Sequence, residues 1–187
     1  MKAELKPYPA IRKFEGSPFD AIPDCWRPVR LKFVIPYVTV GIVITPSKYY
    51  VEEGVPAIRS LNVKDGRLTE EDLVFFSKSD NEKLAKTRIY KGDLVIVRTG
   101  QTGSCAVVDE RFDGANCIDL IIIRKSRHVR SKFLQYFLGC AEAAAEIMMS
   151  SNGAIQQHFN IGLVRELTIL QPELVEQDTI VAFLAGC

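Results

Sequence analysis

Two histidines in 187 residues, and five cysteines without a Cys-x-x-Cys pair, leave little from which to build a zinc site. The odd cysteine count (Cys25, Cys105, Cys117, Cys140, Cys187) speaks against a disulfide framework. It fits buried free thiols in a reducing cytosol. No apolar run approaches the ~20 residues of a membrane-spanning helix. The opening Met1-Lys2-Ala3-Glu4-Leu5-Lys6-Pro7 lacks the apolar core of a signal peptide. The expected location is therefore cytoplasmic. An excess of either charge is missing too: 24 Lys and Arg stand against 23 Asp and Glu, a net charge of +1. This excludes nucleic-acid binding through bulk charge, and leaves room for a local basic face balanced by acids elsewhere.

Catalytic signatures are also missing. There is no Asn-Pro-Pro-aromatic motif for adenine methylation, no glycine-rich S-adenosylmethionine loop, and no Gly-x-x-x-x-Gly-Lys phosphate loop. Pro23-Asp24 has no acidic-x-Lys downstream to complete a nuclease set. No Ser/His/Asp or Cys/His set has a local signature. No enzyme activity, cofactor or metal is expected.

What is present is an ordinary globular composition, 47% apolar and 25% charged, with one domain as the default at this length. The informative stretch is Gly92 to Val108. Leu94 to Val97 is a continuous β-branched run, which suits a strand buried on both faces. Cys105 to Val108 is a second short strand. Between them Arg98, Thr99, Gln101, Thr102 and Ser104 are spaced by Gly100 and Gly103. Every one of those side chains can hydrogen-bond, so the loop can read a polar surface but cannot build a core. Taken alone, it also suits a solvated hairpin. Gly100-Gln101-Thr102-Gly103 matches the Gly-x-x-Gly clamp of RNA-binding KH domains only loosely, because it lies between strands rather than helices.

Residues 1–30 carry Pro7, Pro9, Pro18, Pro23 and Pro28, which exclude a long helix. They read as an arm pinned by burial of Trp26, the only tryptophan. Strands are predicted at Leu31–Ile35, Tyr37–Ile44, Leu73–Phe76, Cys117–Ile123 and Leu167–Leu170. Asp65-Gly66 is a turn signal. Residues 77–91, with Lys83, Lys86 and Arg88, predict a short amphipathic helix and a turn. Arg124 to Lys132 is the most basic segment and contains no acid. It reads as a solvated loop or as a phosphate-neutralising one. The periodicity of residues 131–150 predicts a helix capped by Ser131. Met148-Met149 reads as core filler, and His158 as a structural histidine or a DNA-facing one.

These segments resemble, in order, the target-recognition domains of type I restriction-modification specificity subunits. The run Gly-Asp-x-Leu/Val-x-x-Arg-Thr-Gly-x-x-Gly-x-x-Ala-Val-Val is similar to that family's signature. Ile22-Pro23-Asp24-Cys25-Trp26 followed by Arg30-Leu31 is similar to how such domains open. Val55 to Gly66 resembles the family's x-Pro-x-Ile-Arg-x-x-Asn-Ile-x-x-Gly, and Ala154 to Phe159 its glycine-x-x-Gln stretch. Pro172-Glu173-Leu174-Val175-Glu176-Gln177 resembles the start of the long spacer helix between two recognition domains.

The resemblance implies an α/β (α+β) fold: a twisted mixed sheet with flanking helices, and a C-terminal helix that begins the spacer. It divides the chain into an arm (1–21), a DNA target-recognition domain (22–171) and a truncated spacer start (172–187). It implies sequence-specific binding of double-stranded DNA, one half of a bipartite target. Methylation and cleavage would belong to methyltransferase subunits and, through them, a restriction subunit. Because such subunits hold two recognition domains, the chain would supply about half of one, as a fragment or as a half-subunit that pairs with itself. Base contacts are expected from Arg98, Thr99, Gln101 and Thr102, then Arg59, Asn62 and Lys64. Phosphate contacts are expected from Lys83, Lys86, Arg88, Arg124, Lys125, Arg127 and Arg130. Residues 59–64, 98–104 and 124–130 should then share one basic face. Two other readings stay open: the recognition portion of a fused restriction-methyltransferase, or a protein-interaction module without nucleic acid.

Overall fold

The computed structural model describes residues 7–15, 19–99, 103–140, 143 and 160–186. Strand β10 (Leu94–Val97) is central and all four of its residues are buried. It pairs antiparallel with β11 (Cys105–Val107) and β13 (Leu120–Ile123). β13 in turn pairs with β4 (Val38–Val40), giving the order β11-β10-β13-β4.

Alternation decides the packing of this sheet. Leu94, Ile96, Ile121 and Ile123 face one core with Phe133, Leu134 and Phe137 of helix α2 (Ser131–Leu138). Val95, Val97, Leu120 and Ile122 face a second core with Ile58, Val63, Leu68 and Phe112. Successive strand residues point to opposite sides, so a run without polar residues is what burial on both faces requires. Each buried Val, Leu or Ile contributes about 1.5–3 kcal/mol.

A second four-stranded sheet has the order β12-β6-β9-β5. It combines β5 (Tyr50–Val51), β6 (Val55–Ile58), β9 (Val74–Phe76) and β12 (Asn116–Cys117). β12 runs parallel to β6, so this sheet is mixed. The remaining strands form ribbons: β1 (Ile11–Lys13) with β2 (Ala21–Pro23), β3 (Arg27–Arg30) with β14 (Thr168–Gln171), and β7 (Val63–Lys64) with β8 (Arg67–Leu68). Helices α1 (Lys78–Lys83), α3 (Ile161–Glu166) and α4 (Leu174–Ala185) complete the described elements. The expected α/β class with a mixed sheet is observed, its strands shared among several sheets.

Several local expectations change. Leu31–Phe33 is a 3-10 turn rather than a strand, with the amide of Leu31 bonded to the Leu167 carbonyl. The predicted strand Cys117–Ile123 divides between the two sheets. Asp119, in left-handed conformation at φ 50°, makes the break. Ser131 is the first residue of α2, not its cap, and its hydroxyl donates to the Gly92 carbonyl. Trp26 is half-buried. Its indole N–H donates to Glu176 Oε1 at 2.9 Å and its ring meets Phe133 edge-on, which ties the arm to α4 and α2. Cys105 and Cys117 are buried as expected, whereas Cys25 is exposed. Met148, Met149 and Ala154 to Phe159, with His158, lie outside the described residues, as does Cys187.

Candidate nucleic-acid interface

Two polar loops meet at one end of β10. The cleft between them, about 500 Å³, is lined by Ser60, Lys64, Asp65 and Thr99 together with the apolar Leu61, Val63 and Val97. The first loop is a 3-10 turn, Ser60–Asn62, held by its own asparagine. Asn62 is fully buried. Its Oδ1 accepts from the Arg59 amide at 2.9 Å, and its Nδ2 donates to the Glu71 carbonyl at 2.7 Å. The expected base contact therefore does not fit Asn62: its polar atoms are spent shaping the loop. The Arg59 guanidinium donates to the Asp72 carbonyl at the root of the same loop. Lys64 is exposed and paired with Glu71, whose carboxylate raises the lysine above its ordinary value. After Lys64 the chain reverses at Asp65 and Gly66, both at positive φ, as the Asp-Gly turn signal requires.

The second loop leaves β10 at Arg98. Arg98 Nη1 donates to Asp119 Oδ1 at 2.8 Å, and the Thr99 hydroxyl donates to Asp119 Oδ2 at 3.3 Å. Val97 pairs with Leu120, so Arg98 and Asp119 flank the last matched pair of the two strands. The aspartate anchors the root of the loop and fixes where Arg98 points. Sequence reading passed over Asp119, although a lone acid inside the apolar run from Cys117 to Ile123 is a signal that a cation waits elsewhere. Thr99 is exposed beside the cleft. Gln101 and Thr102 lie outside the described residues.

The third expected segment is not at this end. β10 and β13 are antiparallel, with Leu94 opposite Ile123 and Val97 opposite Leu120. The chain from 124 onward therefore emerges at the other end of the strands, about 10 Å along them at ~3.4 Å per residue. Two of the five Lys and Arg residues of 124–132 are paired with acids from elsewhere in the chain. Arg124 donates to Asp93 Oδ2 at 2.5 Å and to the carbonyls of Arg88 and Lys86. Asp93 is buried and also accepts from the amides of Tyr90 and Lys125. Arg130 holds Asp178 of α4 through two hydrogen bonds, 2.8 and 2.9 Å. Its amide donates to the buried Gln177. Arg124 thus braces the loop beneath it, and Arg130 fastens the C-terminal helix. Arg124, paired with a buried carboxylate, does not fit the phosphate role expected of it, whereas Arg130 is about half exposed in its pair with Asp178. Arg88 is half-buried and donates to the Asn81 carbonyl. Lys83 is exposed and pairs with Asp80, Lys86 and Lys125 are exposed, and Arg127 is exposed with its Nε donating to His128.

Residues 23–185 match the model of the type I restriction modification DNA specificity domain. The chain belongs to that family. Solved structures place the specificity domain in the same fold. One, a chain from a study of complex assembly and conformational transition of the type I R-M system, is 23% identical with a TM-score of 0.66 over 88% of this chain. The HsdS subunit of Thermoanaerobacter tengcongensis is 24% identical with a TM-score of 0.63 over 88% of this chain. The S subunit of M. genitalium is 14% identical with a TM-score of 0.56 over 87%. The specificity domain spans 38%, 38% and 39% of those chains, so it is about two-fifths of their length. No curated protein sequence matches it.

Proposed function

We propose that this specificity domain reads one half of a bipartite double-stranded DNA target for a type I restriction-modification complex. Family membership supports the reading, and the single observation that carries it is the cleft where Ser60, Lys64 and Asp65 of one loop face Thr99 of the other. Arg98, Thr99 and Lys64, with Gln101 and Thr102, are the groups for base contacts. Arg59 and Asn62 act one step behind, by shaping the first loop. A fork-shaped Arg or a Gln amide gripping a base edge gives ~1–3 kcal/mol of discrimination. Lys83, Lys86, Lys125 and Arg127 are the candidates for phosphate contact from the expected set. Methylation falls to methyltransferase subunits, and cleavage to a restriction subunit reached through them. Residues 22–171 form the reading body, 172–187 begin the spacer, and 1–21 are the arm. A full site is read with a second recognition domain, supplied by the same polypeptide or by a second copy.

The test is to assemble the protein with its methyltransferase partner and map methylated adenines across a genome. Thr99→Ala and Gln101→Ala should relax the half-site, and Arg98→Lys should change the preferred base while keeping the charge. An unchanged methylated motif in all three variants would sink the assignment of the loop.

A further inference from the structure

The hairpin that lines the recognition cleft also opens onto a second cavity. Lys64 and Asp65 face the first, and the next two residues, Gly66 and Arg67, face a cavity of about 630 Å³ that also takes in Gly92, Lys125 and Lys132. Two further cations on its wall are neutralised: Arg111 by Asp109 at 2.7 Å and Glu70 at 3.3 Å, and Lys91 by Glu110 at 3.0 Å. Those pairings use up Asp109 and Glu110, the two acids on the wall. Arg67, Lys125 and Lys132 have no ion pair among the described residues.

Three features make the place of Lys132 unfavourable for a cation, against one contact that favours it, the Tyr136 ring 5.1 Å from its Nζ. Lys132 Nζ donates to a neutral group, Gln135 Oε1, at 3.1 Å. Burial and the nearby Arg67 guanidinium hold the lysine below its ordinary value. Lys132 also lies in the first turn of α2, which contains no acid, where the helix dipole favours anions rather than cations. The arrangement is nonetheless built in. Gln135 Nε2 holds the hairpin by donating to the Gly66 carbonyl at 2.8 Å. Gly92 makes room for Lys125, since a Cβ there would lie 2.9 Å from Lys125 Cδ. Folding places these cations around one cavity, whose two acids pair with other residues. Such a cluster is relieved when an anion enters.

We infer that Arg67, Lys125 and Lys132 form a binding site for successive phosphates of a DNA strand whose bases lie in the cleft on the other side of the β7–β8 turn. Of these, Lys125 and Lys132 lie in the basic segment read from the sequence, and only Lys125 was among the expected phosphate contacts. Arg67 sits in the mixed-charge Lys64-Asp65-Gly66-Arg67 turn and gave no signal. The site takes over the positioning role that the buried Arg124 does not fill. It rests on the DNA-reading proposal, and the two can fail separately.

The experiment is fluorescence anisotropy of the full chain with labelled mixed-sequence duplexes over a salt series. Each phosphate contact contributes ~0.9 to the slope of log K against log salt. The double variant Arg67→Gln/Lys132→Gln should therefore flatten the slope by about two, and weaken every duplex by the same factor. Lys132→Arg should restore its share, which separates charge from packing, and circular dichroism checks that each variant is folded. Inorganic phosphate at matched ionic strength should leave duplex binding unchanged. An unaltered slope in the double variant overturns the site while leaving the base-reading cleft standing. Displacement of the duplex by inorganic phosphate also overturns it, by pointing to a small-anion site. If the wild type binds no duplex at any salt, both proposals fall.

Discussion

Replacing Asp93 with alanine tests whether Arg124 is a brace or a DNA contact. The Asp93 carboxylate is 4% accessible and its partner guanidinium 19%. It accepts from Arg124 and from the amides of Tyr90 and Lys125. Removing it leaves a largely desolvated cation and two backbone donors without their acceptor. Breaking a buried pair from one side costs about 3–5 kcal/mol. Arg124 keeps the carbonyls of Arg88 and Lys86 and lies over the Tyr90 ring, so the low end, about 3 kcal/mol, is expected. For a chain of this size each kcal/mol moves the midpoint by about 2–4 °C, so thermal unfolding followed by circular dichroism should fall by about 6–12 °C. Arg124→Gln should fall by a similar amount, and the double variant by less than the sum, because both changes remove one interaction. The salt slope of duplex binding should be the same in Arg124→Gln as in the wild type. A midpoint within about 2 °C of the wild type in both single variants, under 1 kcal/mol, together with a slope lowered by about one unit, would refute the reasoning and return Arg124 to the DNA surface.

Three other outcomes follow from the same contacts. Asn62→Ala should cost about 1–3 kcal/mol in urea unfolding, since the Arg59 amide and the Glu71 carbonyl lose their partner inside the protein; it should also alter which half-site is methylated, because the loop it shapes lines the cleft. Native alkylation followed by mass spectrometry should modify Cys25 and leave Cys105 and Cys117 untouched until the chain unfolds. Burial pushes both thiols up to about 12, so neither is thiolate at neutral pH. Acid should loosen the surface around Asp80, Asp109 and Glu166. Each is held below its ordinary carboxylate value, chiefly by a hydrogen bond from Ser77, Arg111 and Lys32 respectively. Stability from a depressed carboxylate is fully present above its unfolded value and is lost as pH falls through the folded one. Unfolding midpoints should therefore hold steady above about pH 5 and decline below about pH 4. Ser77→Ala, which removes the first of these bonds, should make that decline shallower.

The C-terminal helix was readable from its opening, Pro172 to Gln177, because a proline followed by acidic and apolar residues is a local start signal. What fastens it to the body was not. The bonds run from Arg130 to Asp178 and from the Arg130 amide to Gln177, across 48 and 47 residues. The exposed Val175 on the same helix shows no sequence difference from a core valine.

By itself the sequence determined the central strand and the Asp-Gly hairpin. A run of β-branched residues with no polar position has one stable place, between two apolar layers, and few residues other than glycine tolerate the backbone of a tight reversal. It also determined that Arg98 and Thr99 leave a buried strand at a loop able to hydrogen-bond. Only the tertiary structure decided which cations are paired with acids. The segment from Arg124 to Lys132 contains no acid, so it reads as the basic face. Asp93 and Asp178 neutralise two of its arginines from 31 and 48 residues away. Arg67 and Lys132, distant in sequence, line one cavity and have no ion pair among the described residues. Charge compensation depends on distance in space and on exclusion of water, and neither is written in the order of the residues.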